Sequence, residues 1–164
     1  MHSGSRTKKS KDRNDDESRH ADPGAGSDAE IEAARNADSP NPRILIVEDV
    51  ASLREALRMY LEFYGYTVAS AGSFDDALES ASKRPPDVAV CDRQLGEERD
   101  GIDVARALQR LHGAQLVFVS ATSMSELRAQ TTDLDVTAYL KKPVLPRRIA
   151  AAVRLATGNQ GVRS

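Results

Sequence analysis

The sequence has one cysteine, Cys91. A single thiol excludes an internal disulfide and fits a reducing compartment. No apolar run approaches the roughly 20 residues that a membrane-spanning helix needs. Nothing near Met1 has the apolar core of a signal peptide. A cytoplasmic protein with no membrane association is therefore expected. An excess of either charge is also missing: 23 Lys and Arg stand against 25 Asp and Glu, a formal charge of −2. Near neutrality gives no general attraction to nucleic acid, so no direct DNA binding is expected. Hydrophobic residues make up 40% of the 164. That share is low for a globular chain and points to one ordinary domain diluted by a polar segment.

The polar segment is residues 1–42. Lys8, Lys9, Lys11, Arg13 and Arg19 alternate there with Asp12, Asp15, Asp16, Glu17 and Asp22. Ile31 is the only large aliphatic residue after Met1. Such a segment cannot bury enough surface to offset its ordering entropy. A disordered charged tail is expected, with enough Ala and Glu over residues 28–37 for a short transient helix.

From Arg43 the pattern changes. Ile44-Leu45-Ile46-Val47 reads as a buried strand, followed by the acids Glu48 and Asp49. Residues 52–64 carry Leu53, Ala56, Leu57, Tyr60, Leu61 and Tyr64 at helical spacing, and Gly65 ends that helix. Residues 66–70 form a second strand candidate. Ser73 caps a second helix with Phe74, Ala77, Leu78 and Ala81 on its face. Pro85 and Pro86 stop it. The unbroken run Val88-Ala89-Val90-Cys91 then suits a strand buried on both faces, with Asp92 at its end. Asp100-Gly101 opens a third helix with Ile102, Ala105, Leu108 and Leu111 inward. A fourth strand at 115–119 ends at Ser120, and a weaker helix covers 123–132. A fifth strand at 136–140 ends in Lys141-Lys142-Pro143. A last helix spans 146–157 with Ile149, Val153 and Leu155 on an imperfect apolar face, before a frayed end over 158–164. Five strand–helix pairs in strict alternation predict a parallel sheet with helices on both faces.

In such a sheet the chemistry collects at the carboxyl ends of the strands. Four strand ends carry polar groups: Glu48 with Asp49, Asp92, Ser120 and Lys142. Taken singly, each has an ordinary reading as a cap, a turn or a solvated loop residue. Together they would meet in one crevice. Three clustered acids repel one another unless a cation binds, and an all-oxygen ligand set suits Mg²⁺. Asp92 could then act as a carboxylate nucleophile toward a phosphoryl donor, with Lys142 and the Ser120 hydroxyl on its oxygens. Cys91 reads as a small buried hydrophobe.

Residues 43–157 resemble the receiver domain of two-component response regulators. The likeness rests on Ile44-Leu45-Ile46-Val47-Glu48-Asp49, Val88-Ala89-Val90-Cys91-Asp92, Asp100-Gly101-Ile102, Val119-Ser120-Ala121 and Tyr139-Leu140-Lys141-Lys142-Pro143. The resemblance implies a flavodoxin-like (βα)5 fold, strand order 2-1-3-4-5. It implies Asp92 as phosphoacceptor and Asp49 as a direct Mg²⁺ ligand. Glu48 would act through water, and the Gln94 backbone carbonyl would be the third protein ligand. Ser120 and Tyr139 would be switch residues, Tyr139 turning inward on activation, and Lys142 the conserved lysine of the family. Three positions depart from the family pattern. Gly96 stands where Pro is usual four residues after the phosphoacceptor, Asp100-Gly101 falls one residue late, and Val144 replaces the frequent Phe. A looser loop and an altered phosphoryl lifetime are expected from the first two.

A sensor histidine kinase or a phosphotransfer protein is the expected donor. Only the last helix follows Pro143, so a stand-alone, single-domain regulator is expected, signalling by protein contact or phosphorelay to a downstream protein. No enzyme activity is expected beyond Mg²⁺-dependent self-phosphorylation and autodephosphorylation. A receiver-like scaffold that is never phosphorylated is the main alternative. An aspartate-nucleophile phosphatase would need a second Asp where Gln94 stands. A flavin carrier would need a phosphate loop where Glu48 and Asp49 stand.

Overall fold

The computed structural model describes residues 41–96 and 99–158. The tail expected over residues 1–42, apart from its last two residues, lies outside them, as does the end after Gly158. Twelve elements are described. They are β1 (Arg43–Val47), α1 (Ala51–Phe63), β2 (Thr67–Ala71), α2 (Phe74–Lys83), β3 (Val88–Asp92), β4 (Gln94–Leu95), β5 (Arg99–Asp100), α3 (Gly101–His112), β6 (Gln115–Ser120), α4 (Met124–Gln130), β7 (Val136–Lys141) and α5 (Pro146–Gly158).

Five strands form one parallel sheet in the order β2-β1-β3-β6-β7. With the two-residue strands β4 and β5 set aside, this is the expected order 2-1-3-4-5. Side chains alternate across each strand and so feed two core layers. Leu45, Val47, Ala89, Cys91, Leu116 and Phe118 face α2, α3 and α4. Ile44, Ile46, Val88, Val90, Val117 and Val119 face α1 and α5. Every residue of β3 is buried, which explains why its sequence is a continuous apolar run rather than an alternating one.

Local signals set the helix ends. The Ser73 hydroxyl accepts from the Asp76 N–H at 3.2 Å, and Asp100 Oδ1 accepts from the Ile102 N–H at 3.0 Å. Each such cap contributes about 1 kcal/mol. Gly113 closes α3 in the left-handed region at φ 66°, where a residue with a Cβ is strained.

Three leucines expected on inward faces are exposed: Leu53, Leu111 and Leu155. At 100° per residue, Leu155 lies about 100° from buried Ala156 and on the far side from Val153. Leu111 stands about 60° off Leu108, at the edge of the buried stripe. Leu53 borders the functional site instead. The antiparallel ribbon of β4 and β5, with Gly96 at φ 73° directly after β4, was not expected. Two-residue strands carry no periodicity to read.

Candidate functional site

The parallel register brings the ends of β1, β3, β6 and β7 to one edge of the sheet. Glu48 and Asp49 directly follow β1, Asp92 ends β3, Ser120 ends β6, and Lys142 directly follows β7. Glu48 and Asp92 are buried, and Asp49 is exposed. One carboxylate oxygen from each of Glu48, Asp49 and Asp92 lies within 4.8 Å of the other two. Lys142 Nζ donates to Asp92 Oδ2 at 2.6 Å and to Glu48 Oε2 at 3.2 Å. The lysine thus offsets two of the three acids, and Asp49 opens the cluster to solvent.

Neighbouring groups fix these side chains. The Val50 N–H donates to Glu48 Oε1 at 3.0 Å, and the Gln94 N–H donates to Asp92 Oδ1 at 3.0 Å. Both Asp92 oxygens therefore have a donor. Arg54 of α1 donates through Nη1 to the Glu48 carbonyl at 2.7 Å and holds the loop that carries both acids. The Lys142 N–H donates to the Ser120 carbonyl at 2.9 Å. The Lys142–Pro143 peptide is cis.

Burial pushes the Glu48 carboxyl above its usual value. The Val50 donor works against this, the Asp92 charge adds to it, and Lys142 opposes it. Burial pulls the Lys142 ammonium down, but its contacts with Asp92 and Glu48 outweigh that and leave it above the ordinary lysine value. The lysine is therefore charged at neutral pH. Burial, with the Asp92 charge adding to it, pushes the Cys91 thiol up to about 12, as its reading as an unreactive core residue requires.

Among the described hydrogen bonds, Ser120 and Tyr139 pair with groups other than the acids. Ser120 is fully buried, and its Oγ accepts from the Thr122 N–H at 3.0 Å. Among the described hydrogen bonds, none joins it to Asp92. Tyr139 is half-buried and already packed. Its ring stacks on Phe118 at 6.0 Å, and its hydroxyl and that of buried Thr131 lie 2.6 Å apart. Arg128 covers the outer face of the ring at 4.3 Å. Gln94 is exposed in β4, opposite Asp100.

Arg93 and Arg54 were not singled out from the sequence. Arg93 reaches Thr122 Oγ1 at 3.0 Å and Gln130 Oε1 at 2.8 Å. Its partners lie 29 and 37 residues along the chain, a spacing that no local pattern carries.

An apolar cavity of about 500 Å³ adjoins the acids. Leu53, Leu57, Val119, Val144 and Ile149 line it, with Glu48, Asp92 and Lys142 among its walls. Val144 takes its place here, directly after the cis Lys142–Pro143 peptide and Pro143.

A buried strand-end aspartate, two adjoining acids and a facing lysine thus meet at the carboxyl edge of a doubly wound sheet. The response regulator receiver domain profile matches residues 44–154, and the chain belongs to that family. Among curated relatives, it is 35% identical over 123 residues to the transcriptional regulatory protein PdtaR of Mycobacterium tuberculosis, covering 74% of this chain and 60% of that one. It is 36% identical over 114 residues to the response regulator MprA of Mycobacterium ulcerans, covering 68% and 48%. The chain thus spans about half to three-fifths of the length of these relatives. A CheY-like receiver domain from Methanospirillum hungatei shares the fold at a TM-score of 0.69 and 24% identity, covering 74% of this chain and 98% of that one. Receiver domains generally bind Mg²⁺ through acidic residues, and the cluster of Glu48, Asp49 and Asp92 supplies the hard oxygen donors that such an ion takes. Among the described residues, no helix is long and apolar enough to cross a membrane.

Proposed function

We propose that this protein is a phosphorylation-controlled switch with Asp92 as phosphoacceptor. The observation that carries this reading is the pairing of Lys142 Nζ with Asp92 Oδ2 at 2.6 Å beside two further acids. An Asp92 oxygen attacks phosphorus in line, forming an acyl phosphate. The bond from phosphorus to the leaving group breaks. From a phosphohistidine the leaving group is imidazole; from acetyl phosphate it is acetate. Asp49 and Asp92 would hold Mg²⁺ directly, with Glu48 through water and the Gln94 carbonyl as a further ligand. The ion would supply charge neutralisation for the phosphoryl oxygens.

Lys142 then has a new partner. Before transfer it pairs with a carboxylate; afterwards it pairs with a phosphoryl group carrying about −1.5 to −2 charges. Ser120 is the second switch residue. Tyr139 responds through its packing on Phe118 rather than by a large swing, since its ring is already half-buried.

The donor is a sensor histidine kinase or a phosphotransfer protein, acting in the cytoplasm. Output is by protein contact or onward phosphoryl transfer. The protein turns over no substrate beyond its own phosphorylation and dephosphorylation. The test is intact-mass measurement after incubation with acetyl phosphate and Mg²⁺. One phosphoryl addition is expected, abolished by Asp92→Ala and by a chelator. Equal labelling of Asp92→Ala would overturn the assignment.

A further inference from the structure

Arg93, directly after the phosphoacceptor, is committed at every polar group except its guanidinium Nε. Its N–H donates to the Val119 carbonyl at 3.3 Å, and its carbonyl accepts from the Gly101 N–H at 2.7 Å. The backbone is thereby anchored between β6 and the start of α3. Its side chain is 17% exposed and spreads like a fork. Nη1 holds Thr122 Oγ1 at 3.0 Å, and Nη2 holds Gln130 Oε1 at 2.8 Å. Nε lies 3.7 Å from Asp100 Oδ2, without a hydrogen-bond partner. The charge is thus tethered on one side to the cap of α3. Its two donors reach across to the β6–α4 turn and to the end of α4.

Thr122 also touches the switch. Its backbone N–H donates to Ser120 Oγ at 3.0 Å, so the Ser120 hydroxyl and the Arg93 fork share one residue. For Ser120 Oγ to turn toward a phosphoryl group on Asp92, it must leave the Thr122 N–H. That N–H then needs another partner, and the turn must rearrange. Such a rearrangement would draw Thr122 Oγ1 away from Arg93, whose backbone is bonded to Val119 and Gly101.

We propose that Arg93 is a clamp that holds the Ser120–Thr122 turn and the end of α4 in the resting arrangement, and that phosphorylation of Asp92 opens it. The proposal rests on the phosphoacceptor reading above. Arg93 is a positioning residue, acting through Thr122 and not on the phosphoryl group. Its bonds exist in the resting state and are lost in the active one. They therefore subtract from the free energy that phosphorylation makes available for switching. The fork geometry matters: a lysine can hold one partner but not both.

The test uses the full chain, the phosphoryl mimic beryllofluoride with Mg²⁺, and amide chemical shifts of Ser120, Ala121 and Thr122. Without beryllofluoride, Arg93→Ala should move these signals part of the way toward their bound positions in the parent. Its apparent beryllofluoride affinity should rise about tenfold or more, the worth of at least one lost hydrogen bond to a charged donor. Arg93→Lys should fall between the parent and Arg93→Ala. Thr122→Val keeps the backbone N–H to Ser120 but loses the clamp's acceptor, so it should act in the same direction and more weakly. The double variant Arg93→Ala, Thr122→Val should do no more than Arg93→Ala alone, because both remove one interaction. If Arg93→Ala does not fold, Thr122→Val and Gln130→Ala decide the matter. Resting shifts and affinity that stay at parent values in folded variants would overturn the clamp, as would weaker binding. A parent protein that binds no beryllofluoride would overturn the phosphoacceptor reading itself, and the clamp with it.

Discussion

A Cβ placed on Gly101 would stand 1.8 Å from the carbonyl oxygen of Asp92 and 2.9 Å from the Arg93 Cα. The atoms in the way are backbone, so no side chain can swing aside. The close approach also carries the 2.7 Å bond from the Gly101 N–H to the Arg93 carbonyl, which ties the start of α3 to the end of β3. Gly101→Ala should therefore destabilise the fold by about 3 kcal/mol, at the upper end for overpacking. Urea unfolding of parent and variant measures this directly. A difference under about 0.5 kcal/mol, the range of neutral surface changes, would show that the two segments separate freely.

Cys91 faces the α3 side of the sheet, and burial, with the Asp92 charge adding to it, holds its thiol at about 12. In the native protein it should resist a thiol reagent at pH 8 and react at once on unfolding. The same shift predicts a pH dependence of stability. The folded thiol keeps its proton where the unfolded chain, with a thiol near about 8.5, releases it. This contribution is intact below that value and is lost as pH rises toward about 12. Unfolding midpoints of the parent should fall over that window by more than those of Cys91→Ala. Parallel curves for the two proteins would contradict it.

The alternation of strands and helices was legible because apolar residues fill both faces of β1, β3 and β6, whose burial is nearly complete. The acids and Lys142 were legible because a strand end marks where a polar residue must point. What escaped is of another kind. Arg93 and Arg54 look like solvated loop and helix charges. Their partners are a threonine side chain, a glutamine and a backbone carbonyl, set by tertiary proximity alone. The outward turn of Leu155 was hidden because an apolar residue in a helix is read as inward until its neighbours Ala152, Val153 and Ala156 claim the buried stripe.

Residues before Arg43 should be dispensable for folding and phosphorylation. Among the described residues, both core layers are built from those between Ile44 and Ala156. The residues that cluster at the strand ends all follow Val47. A chain starting near Pro42 should melt within a few degrees of the parent and take up phosphate at a similar rate. Loss of Mg²⁺ binding on truncation would show a structural role for the tail.

Lys142→Ala separates metal binding from switching. The ammonium pairs with Asp92 at 2.6 Å and Glu48 at 3.2 Å. Removing it leaves two buried carboxylates without their cation. Without Mg²⁺ the variant should lose about 1–2 kcal/mol, less than for a fully buried pair because the lysine is 27% exposed. Saturating Mg²⁺ should restore most of that loss, since an ion that binds only the folded state stabilises it. Mg²⁺ affinity should rise, because the acids would face one positive charge fewer. Switching should fail, because under the proposed function the lysine gains its phosphoryl contact only after transfer, and its loss removes that bias between the two states. Ser120→Ala should impair switching less, since a neutral hydroxyl makes a weaker bond than a charged donor. Calorimetric Mg²⁺ titration and the Ser120–Thr122 amide shifts with beryllofluoride read the two effects separately. If Lys142→Ala shifts those amides as fully as the parent does, the lysine is not the residue that couples phosphorylation to the turn.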